Sequence, residues 1–412
     1  MRAAAVLNRL LGFAGTVVDD VSFTETAIVI AVRLRSKMLV CPCGRTSRAR
    51  YDSSRRRWRH VDFGRHQVVI EAEIRRVDCR GCARVRTEWM PWARPGARHT
   101  RDFEDLAGWL VKRMSKAGVA MLLRTTWHTI DTLVRRLVDQ HLDADRLDGL
   151  YRIGVDEIAY RKGRKFLTVV TDHDTGRVVH IAEGRTSAAL AVFYEQLGPR
   201  RCELIQAVTM DMTRIYREPT REHLPQAAIC FDPFHVIKWA GDALEQAHLG
   251  LPRPATAITV PGLTGAQAWR KVRATLRAGA ENLDDTGHAI IAQLRARHRR
   301  LWRAWQLKEH LRDLYRTVEP DHATAYLKRW ITAAKRSRIS GFVALARRVA
   351  RNFDGIVNAV NHQLSNSLTE GLNAGIRLIQ ARAHGYADLD NLIEMIHLCH
   401  GGIPTPLPTP TH

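Results

Sequence analysis

Two stretches near the start of the chain alternate apolar and polar residues with period two, TAIVIAVRLRS at 27–37 and HQVVIEAEIRRVDC at 66–79. Successive strand side chains point to opposite faces, so this pattern predicts half-buried β-strands within a β-rich region at 1–95. The first residues, MRAAAVLNRLLGFAG, place Asn8 and Arg9 inside an apolar run and read as a short amphipathic helix rather than a leader peptide. The period then lengthens. Phe103, Leu106, Leu110 and Met114 recur at helical spacing, and beyond a turn near Thr125–Thr126 so do Ile130, Leu133, Val134 and Leu137. Residues 100–146 therefore predict a helix-turn-helix domain.

From 150 to 240 the apolar runs shorten to strand length: RIGVDEIAY, KFLTVVTD, RVVHIAEG, LIQAVTMD and AAICFDPFHV. HDTGR joins the second to the third as a hairpin turn, and the helical patterns SAALAVFYEQLG and TRIYREPTREHL separate later runs. Hairpins followed by alternating helices and strands predict a mixed α/β sheet. Residues 241–364 are helix-forming almost throughout, with the loop PRPATAITVPG at 252–262, and 365–400 are helical again. The Pro/Thr-rich tail, 401–412, is expected to be disordered. No run approaches the ~18 apolar residues of a membrane span, so a membrane is not expected as a partner.

Charge narrows the function. The 412 residues carry 64 Lys+Arg against 42 Asp+Glu, a net +22, which suits a polyanion, nucleic acid before an anionic membrane surface. Seven cysteines are an odd number for a secreted disulfide framework, and four of them form two close pairs, CPCG at 41–44 and CRGC at 79–82. Cys41, Cys43, Cys79 and Cys82 on hairpins predict a closed, structural zinc site in a reducing cytoplasm. Arg124, Trp127, His128, Arg135 and Arg136, on and just before the second helix of the helix-turn-helix, are candidates for phosphates or base edges; the alternative is an ordinary pair of core helices. The four tryptophans of the 241–364 block read mainly as core.

The carboxylates carry the chemistry. Asp156 lies inside GVDEIAY and Asp211 ends QAVTMDM, and an Asp in such a run is costly unless paired or bound to a cation. Glu370 sits in the helical segment SNSLTEGLN. Asp, Asp and Glu offer only oxygen, which favours Mg²⁺ or Mn²⁺, and two such ions suit phosphodiester displacement. For any one Asp the alternative is a turn residue. Asp232, with His235 three residues on in CFDPFHV, competes with Asp211 for the second position, and residue chemistry alone leaves the choice open.

These segments together resemble the DDE transposases of bacterial insertion sequences, specifically the ISL-three group. The resemblance is carried by IGVDEIAYRKGRKFLTVVTDHDTGRVV, VTMDMTRIYREP, LPQAAICFDPFHVIKW and SNSLTEGLNAGIRLIQARAHGYADLDNL, with the cysteine pairs and helix-turn-helix upstream. It implies a multidomain α/β chain: a zinc-ribbon-like DNA-binding domain at 1–95, the helix-turn-helix at 100–146, and a ribonuclease-H-like core at 150–240 and 365–400 interrupted by an all-helical insertion at 241–364. It also implies Asp156, Asp211 and Glu370 as ligands of two Mg²⁺ or Mn²⁺ ions, which favours Asp211 over Asp232. Asp232 and His235 then support the site. Arg377 and Arg382 fall near the scissile phosphate, a solvated basic face being the alternative. The implied activity is binding of terminal inverted repeats, metal-dependent end cleavage and strand transfer into target DNA, by a homodimer or larger synaptic assembly in the bacterial cytoplasm, at the nucleoid. The competing readings are a structure-selective nuclease of the same fold and an inactive DNA-binding regulator.

Overall fold

A computed structural model describes residues 3–142, 144–161, 163, 165–249 and 258–407. Contacts divide it into two compact units, Met1–Asp143 with Ile379–His412, and Ala144–Leu378. Most of the loop expected at 252–262 lies outside the described residues, as do 408–412 of the tail.

The first unit opens with α1 (Ala3–Leu11) and the strands β1 (Thr16–Phe23), β2 (Ala27–Leu34), β3 (Leu39–Val40), β4 (Thr46–Ser47), β5 (Arg50–Phe63), β6 (His66–Cys79) and β7 (Arg84–Thr87). The main sheet runs β1-β2-β6-β5, with β7 on the far end of β6 and β3-β4 as a separate hairpin. Period two does what the sequence predicts: Ile28, Ile30 and Val32 of β2 and Val68, Ile70, Ala72 and Ile74 of β6 point into one core. Trp58 of β5 meets Trp92 edge to face at 5.6 Å in that core. Leu7 and Leu11 of α1 pack against it.

Three helices follow, α2 (Arg101–Val111), α3 (Lys116–Leu122) and α4 (Trp127–Asp139). Each starts on a hydroxyl cap: Thr100, Ser115 and Thr126 accept from the backbone N–H of Phe103, Gly118 and Thr129. Ile130, Leu133, Val134, Leu137 and Val138 form the buried stripe of α4.

The second unit carries a five-stranded sheet of order β10-β9-β8-β11-β12. The strands β8 (Arg152–Arg161), β9 (Lys165–Asp172) and β10 (Val178–Glu183) form an antiparallel meander. Asp172 caps its second turn, accepting from the Asp174 N–H. After α5 (Ser187–Leu197) and α6 (Pro199–Cys202), β11 (Ala207–Met210) returns parallel to β8; after α7 (Arg214–His223), β12 (Ala228–Phe231) lies parallel to β11. All five are the strands predicted from the apolar runs. Beyond them the chain is helical: α8 (Pro233–Leu249), α9 (Gly265–Arg277), α10 (Asp285–Arg297), α11 (Arg299–Arg316), α12 (Pro320–Lys335), α13 (Ser340–Arg351), α14 (Phe353–Asn361) and α15 (Ser367–Arg382). Val155, Val208, Met210 and Phe231 from the sheet join Leu301, Leu311 and Phe342 from the helices in one continuous core. Trp330 is buried there and its Nε1 donates to the Leu307 carbonyl.

The last helix, α16 (Leu389–His400), which the sequence reading groups with the final core helices at 365–400, makes contacts that the reading does not foresee. From Ile379 onward the chain clusters with the first unit. Arg135 of α4 donates to Glu394, and Lys116 of α3 to Asn391. The tail also differs from the expected disorder over its described part. Ile403 is buried, and Lys112 Nζ donates to its carbonyl at 2.6 Å. One apolar side chain with a cationic donor beside it is enough to fix a segment whose composition suggests a free end. No described helix is long and apolar enough to cross a membrane.

Two half-buried histidines lie between the β sheet and α2. His60 shares a hydrogen bond with Thr100 Oγ1 at 2.8 Å, and His99 stacks on Phe103. Burial, with nearby arginines adding to it, lowers both to about 4 from an ordinary 6.5. Between those values the unfolded chain takes up protons that the folded unit refuses, so their stabilisation is complete above 6.5 and is lost as pH falls toward 4. The thermal midpoint should therefore drop on acidification through this window, and His60→Gln/His99→Gln should flatten that dependence; an unchanged slope in the double variant would contradict it.

Candidate active site

The register of the second sheet decides which carboxylates meet. Thr209 of β11 pairs with Gly154 of β8 and with Cys230 of β12. Two residues further, the same register brings Asp156, Asp211 and Asp232 into one row across three neighbouring chain segments, spaced ~4.8 Å apart in the hydrogen-bonding direction. Asp232 N donates to the Met210 carbonyl, which holds the row together where the strands end. Each Asp also receives a local backbone N–H: Glu157 N to Asp156, Thr213 N to Asp211, Phe234 N to Asp232.

Such a row is electrostatically expensive. Burial raises Asp156, and the Asp211 and Asp232 charges push it the same way. Burial likewise raises Asp232, with Asp211 adding to it. Glu157 is pushed up to about 7 by burial first and then by Asp211. Arg185, after β10, supplies opposite charge, lying 2.9 Å from Glu157 and 3.8 Å from Asp211.

Helix α15 lies over the row. Thr369 Oγ1 meets Thr171 Oγ1 at 3.2 Å, and a Cβ on Gly154 would come within 3.0 Å of both hydroxyls, so glycine permits this close approach. Asn373 Nδ2 donates to Asp156 Oδ2 at 2.8 Å, and Asn366 N donates to Asp232 Oδ1 at 3.4 Å. Glu370 stands in the first turn of α15, one turn before Asn373, and is exposed. Arg377 follows on the same stripe, seven residues on, also exposed. His235 Nε2 lies 3.9 Å from Asp232 Oδ2. The oxygens of the described carboxylates are not drawn into a single tight cluster.

The donor set fits a hard divalent cation. The candidate ligands are oxygens, and two more buried oxygens, Asn366 Oδ1 and Asn373 Oδ1, have no hydrogen-bond partner. Sequence reasoning missed Asn366 and Asn373, although they stand four residues before and three after Glu370, the spacing of one helical stripe. Nothing in the sequence marks Arg185.

The first unit holds a second centre. Cys41 follows β3, Cys79 ends β6 and Cys82 sits in the turn before β7, each next to tight backbone turns. The ligand atoms of the four cysteines lie within 4.8 Å of one another, with Cys41–Cys82 at 3.9 Å and Cys43–Cys79 at 3.7 Å. A tetrahedron of sulfurs ~2.3 Å from zinc has edges of ~3.8 Å, so the cluster fits structural zinc despite its one-residue C-x-C spacer.

The helix-turn-helix candidates divide. Trp127 and His128, at the start of α4, are exposed. Arg124, in the turn with φ +50°, donates to Asp62 and to the Arg65 carbonyl. Arg136 donates to the buried Glu104, Arg135 to Glu394, and Arg382 to the Lys112 carbonyl. These four are therefore engaged within the first unit.

A family model described as transposase matches residues 153–396, a helix-turn-helix domain of transposase family ISL3 matches 90–138, and the zinc-finger of transposase IS204/IS1001/IS1096/IS1165 matches 39–82. The chain is 36% identical to the transposase for insertion sequence element IS1557 of Mycobacterium tuberculosis, covering 99% of this chain and 98% of the relative. It is 27% identical to the transposase for IS1001 of Bordetella parapertussis, covering 93% and 95%.

The cysteine geometry makes a direct prediction. Metal analysis of the purified chain should find one zinc per chain, and Cys79→Ser should lose it and lower the thermal midpoint of the first unit. Full zinc occupancy in Cys79→Ser would contradict the assignment.

Proposed function

The chain belongs to the ISL3 family of transposases and binds DNA, and from that premise we propose that Asp156, Asp211 and Glu370 hold two Mg²⁺ or Mn²⁺ ions for cleavage and joining of transposon ends. The observation that carries this reading is the Asp156–Asp211 pair at adjacent positions of parallel neighbours, with Asn373 of α15, the helix that bears Glu370, bonded to Asp156. The sheet order supports a ribonuclease-H-like core: three antiparallel strands, then two joined parallel to the first, with the catalytic aspartates on the first and after the fourth. The helices α9 to α14, between the last strand and α15, are then a helical insertion.

Bound ions would supply Lewis-acid stabilisation to the attacking and leaving oxygens of an in-line displacement. The chain's residues do the remainder. Asn373 holds one oxygen of Asp156 by hydrogen bond and so fixes the direction of the other. Asp232, with His235 beside it, supports the row from the outer strand, and Arg377 approaches the scissile phosphate from the stripe of Glu370. Water breaks the P–O3′ bond at the transposon end and leaves a 3′-hydroxyl. That hydroxyl gives up its proton and attacks a target phosphodiester, forming a new P–O bond as the target's own P–O3′ bond breaks and its 3′-oxygen leaves as a hydroxyl, so no covalent protein–DNA link is formed. Trp127 and His128 meet the terminal inverted repeat, and two ends handled together call for a dimer or larger assembly. The reaction takes place in the bacterial cytoplasm, where the DNA is.

Cleavage and strand-transfer assays on duplexes ending in the element's inverted repeat separate the roles. Asp156→Asn, Asp211→Asn and Glu370→Gln should abolish both steps while retaining end binding. Asp232→Asn and Asn373→Ala should slow them by about 10–100-fold, as loss of an outer partner does. A dead Asp232→Asn beside an active Asp211→Asn would move the second ligand to Asp232. Cleavage without joining of precleaved ends would instead make the protein a nuclease.

A further inference from the structure

Strand β12 is one of the two edge strands of the second sheet. Beside it lies a cavity of ≈ 420 Å³, floored by Phe231 and lined by Arg217 and Arg221 of α7, Arg351 at the end of α13, and Asp354 and Asn358 of α14. Some arginines of this unit meet an acid, as Arg152 meets Asp174, Arg201 Asp148, Arg273 Glu245 and Arg312 Glu281. The three that converge on the cavity do not. Among the described residues no carboxylate forms an ion pair with them, and Arg217 Nε is a buried nitrogen without a hydrogen-bond partner. Asp354, exposed, is the one acid in the lining.

Three guanidinium groups around one cavity repel each other unless an anion joins them, and arginine grips phosphate oxygens through paired, charge-assisted hydrogen bonds. The placement on α7 gives the site a direction. Arg214, Arg217 and Arg221 are spaced i, i+3 and i+7, so they form one stripe, and that stripe begins three residues after Asp211. Seven residues of helix span ~10 Å. Such a stripe can meet successive phosphates of one strand.

We infer that Arg214, Arg217, Arg221 and Arg351 form a phosphodiester-binding track that holds a DNA strand leading away from the carboxylate row. The track is a DNA contact of the second unit, separate from the helix-turn-helix and zinc centre. It rests on the reading of this chain as a DNA-binding transposase, but it does not depend on which carboxylates hold the ions.

The test is the salt dependence of binding by the full-length chain, read by fluorescence anisotropy on a labelled duplex of the element's inverted repeat and its flank. Each phosphate contact contributes ~0.9 to the slope of log affinity against log salt, so Arg217→Ala/Arg221→Ala/Arg351→Ala should make the slope shallower by about 2.7. The corresponding triple lysine variant should restore the slope. Asp156→Asn should leave it unchanged, so failure of the catalytic assignment would be seen separately. If the triple alanine variant fails to fold, the exposed Arg351→Ala alone should still lower the slope by about 0.9. A wild-type slope in the folded triple variant, or in Arg351→Ala, overturns the track. So does calorimetry showing one saturable site for inorganic phosphate that the triple variant loses while its DNA slope stays wild-type; the cavity would then serve a free phosphate.

Discussion

The parallel pairing of β8, β11 and β12 is the constraint from which the account of the active site follows. Their common register sets three aspartates side by side at the end of the sheet, partly removed from water. Neighbouring carboxylates in such a place raise one another's affinity for protons and make the folded state costly unless a cation joins them. Within the chain Arg185 provides part of that charge, bridging Glu157 and Asp211. Asn366 and Asn373 add two buried amide oxygens that have no hydrogen-bond partner in the structure. Helix α15 completes the arrangement, since the hydrogen bond from Asn373 to Asp156 fixes how the helix bearing Glu370 meets the sheet.

Much of this was legible in the sequence, because local pattern reports local structure. Period two marked β2 and β6, and short apolar runs marked the five strands of the second sheet. The cysteine pairs marked the S4 cluster, and Asp156 and Asp211 stood out as acids in apolar runs. What was not legible depends on partners distant in sequence. The α16 pattern says only that one face is apolar, and its contacts with α3 and α4 come from residues some 260–275 positions away. Ile403 lies in a tail whose composition suggests disorder, yet it is buried. Arg135 and Arg136 look available to DNA in the sequence; Glu394 and Glu104 occupy them in the fold. Asn373 was within reach, since its spacing from Glu370 is helical, but an amide draws less notice than an acid.

The division into two units also orders the chemistry. The first unit contains the zinc-sized cysteine cluster, the helix-turn-helix and a sheet with His60 and His99 between it and α2. The second contains the carboxylate row and the helical block, sharing one core. Arginine is abundant in both, but an arginine's meaning depends on whether the fold supplies an acid to meet it. Arg75 with Glu88 and Arg94 with Glu104 serve the fold. Arg217, Arg221 and Arg351 have no such match, and charge of that kind is what a phosphate backbone uses.

We propose that the carboxylate row under α15 is a divalent-cation site. Mn²⁺ binding, followed by electron paramagnetic resonance on the full chain bound to an inverted-repeat duplex, tests it most directly. The wild-type chain should bind Mn²⁺ saturably; Asp156→Asn should weaken that binding by about tenfold or more, and Asp156→Asn/Asp211→Asn should remove it. Equal Mn²⁺ binding by the wild type and the double variant, or none by the wild type, would contradict it.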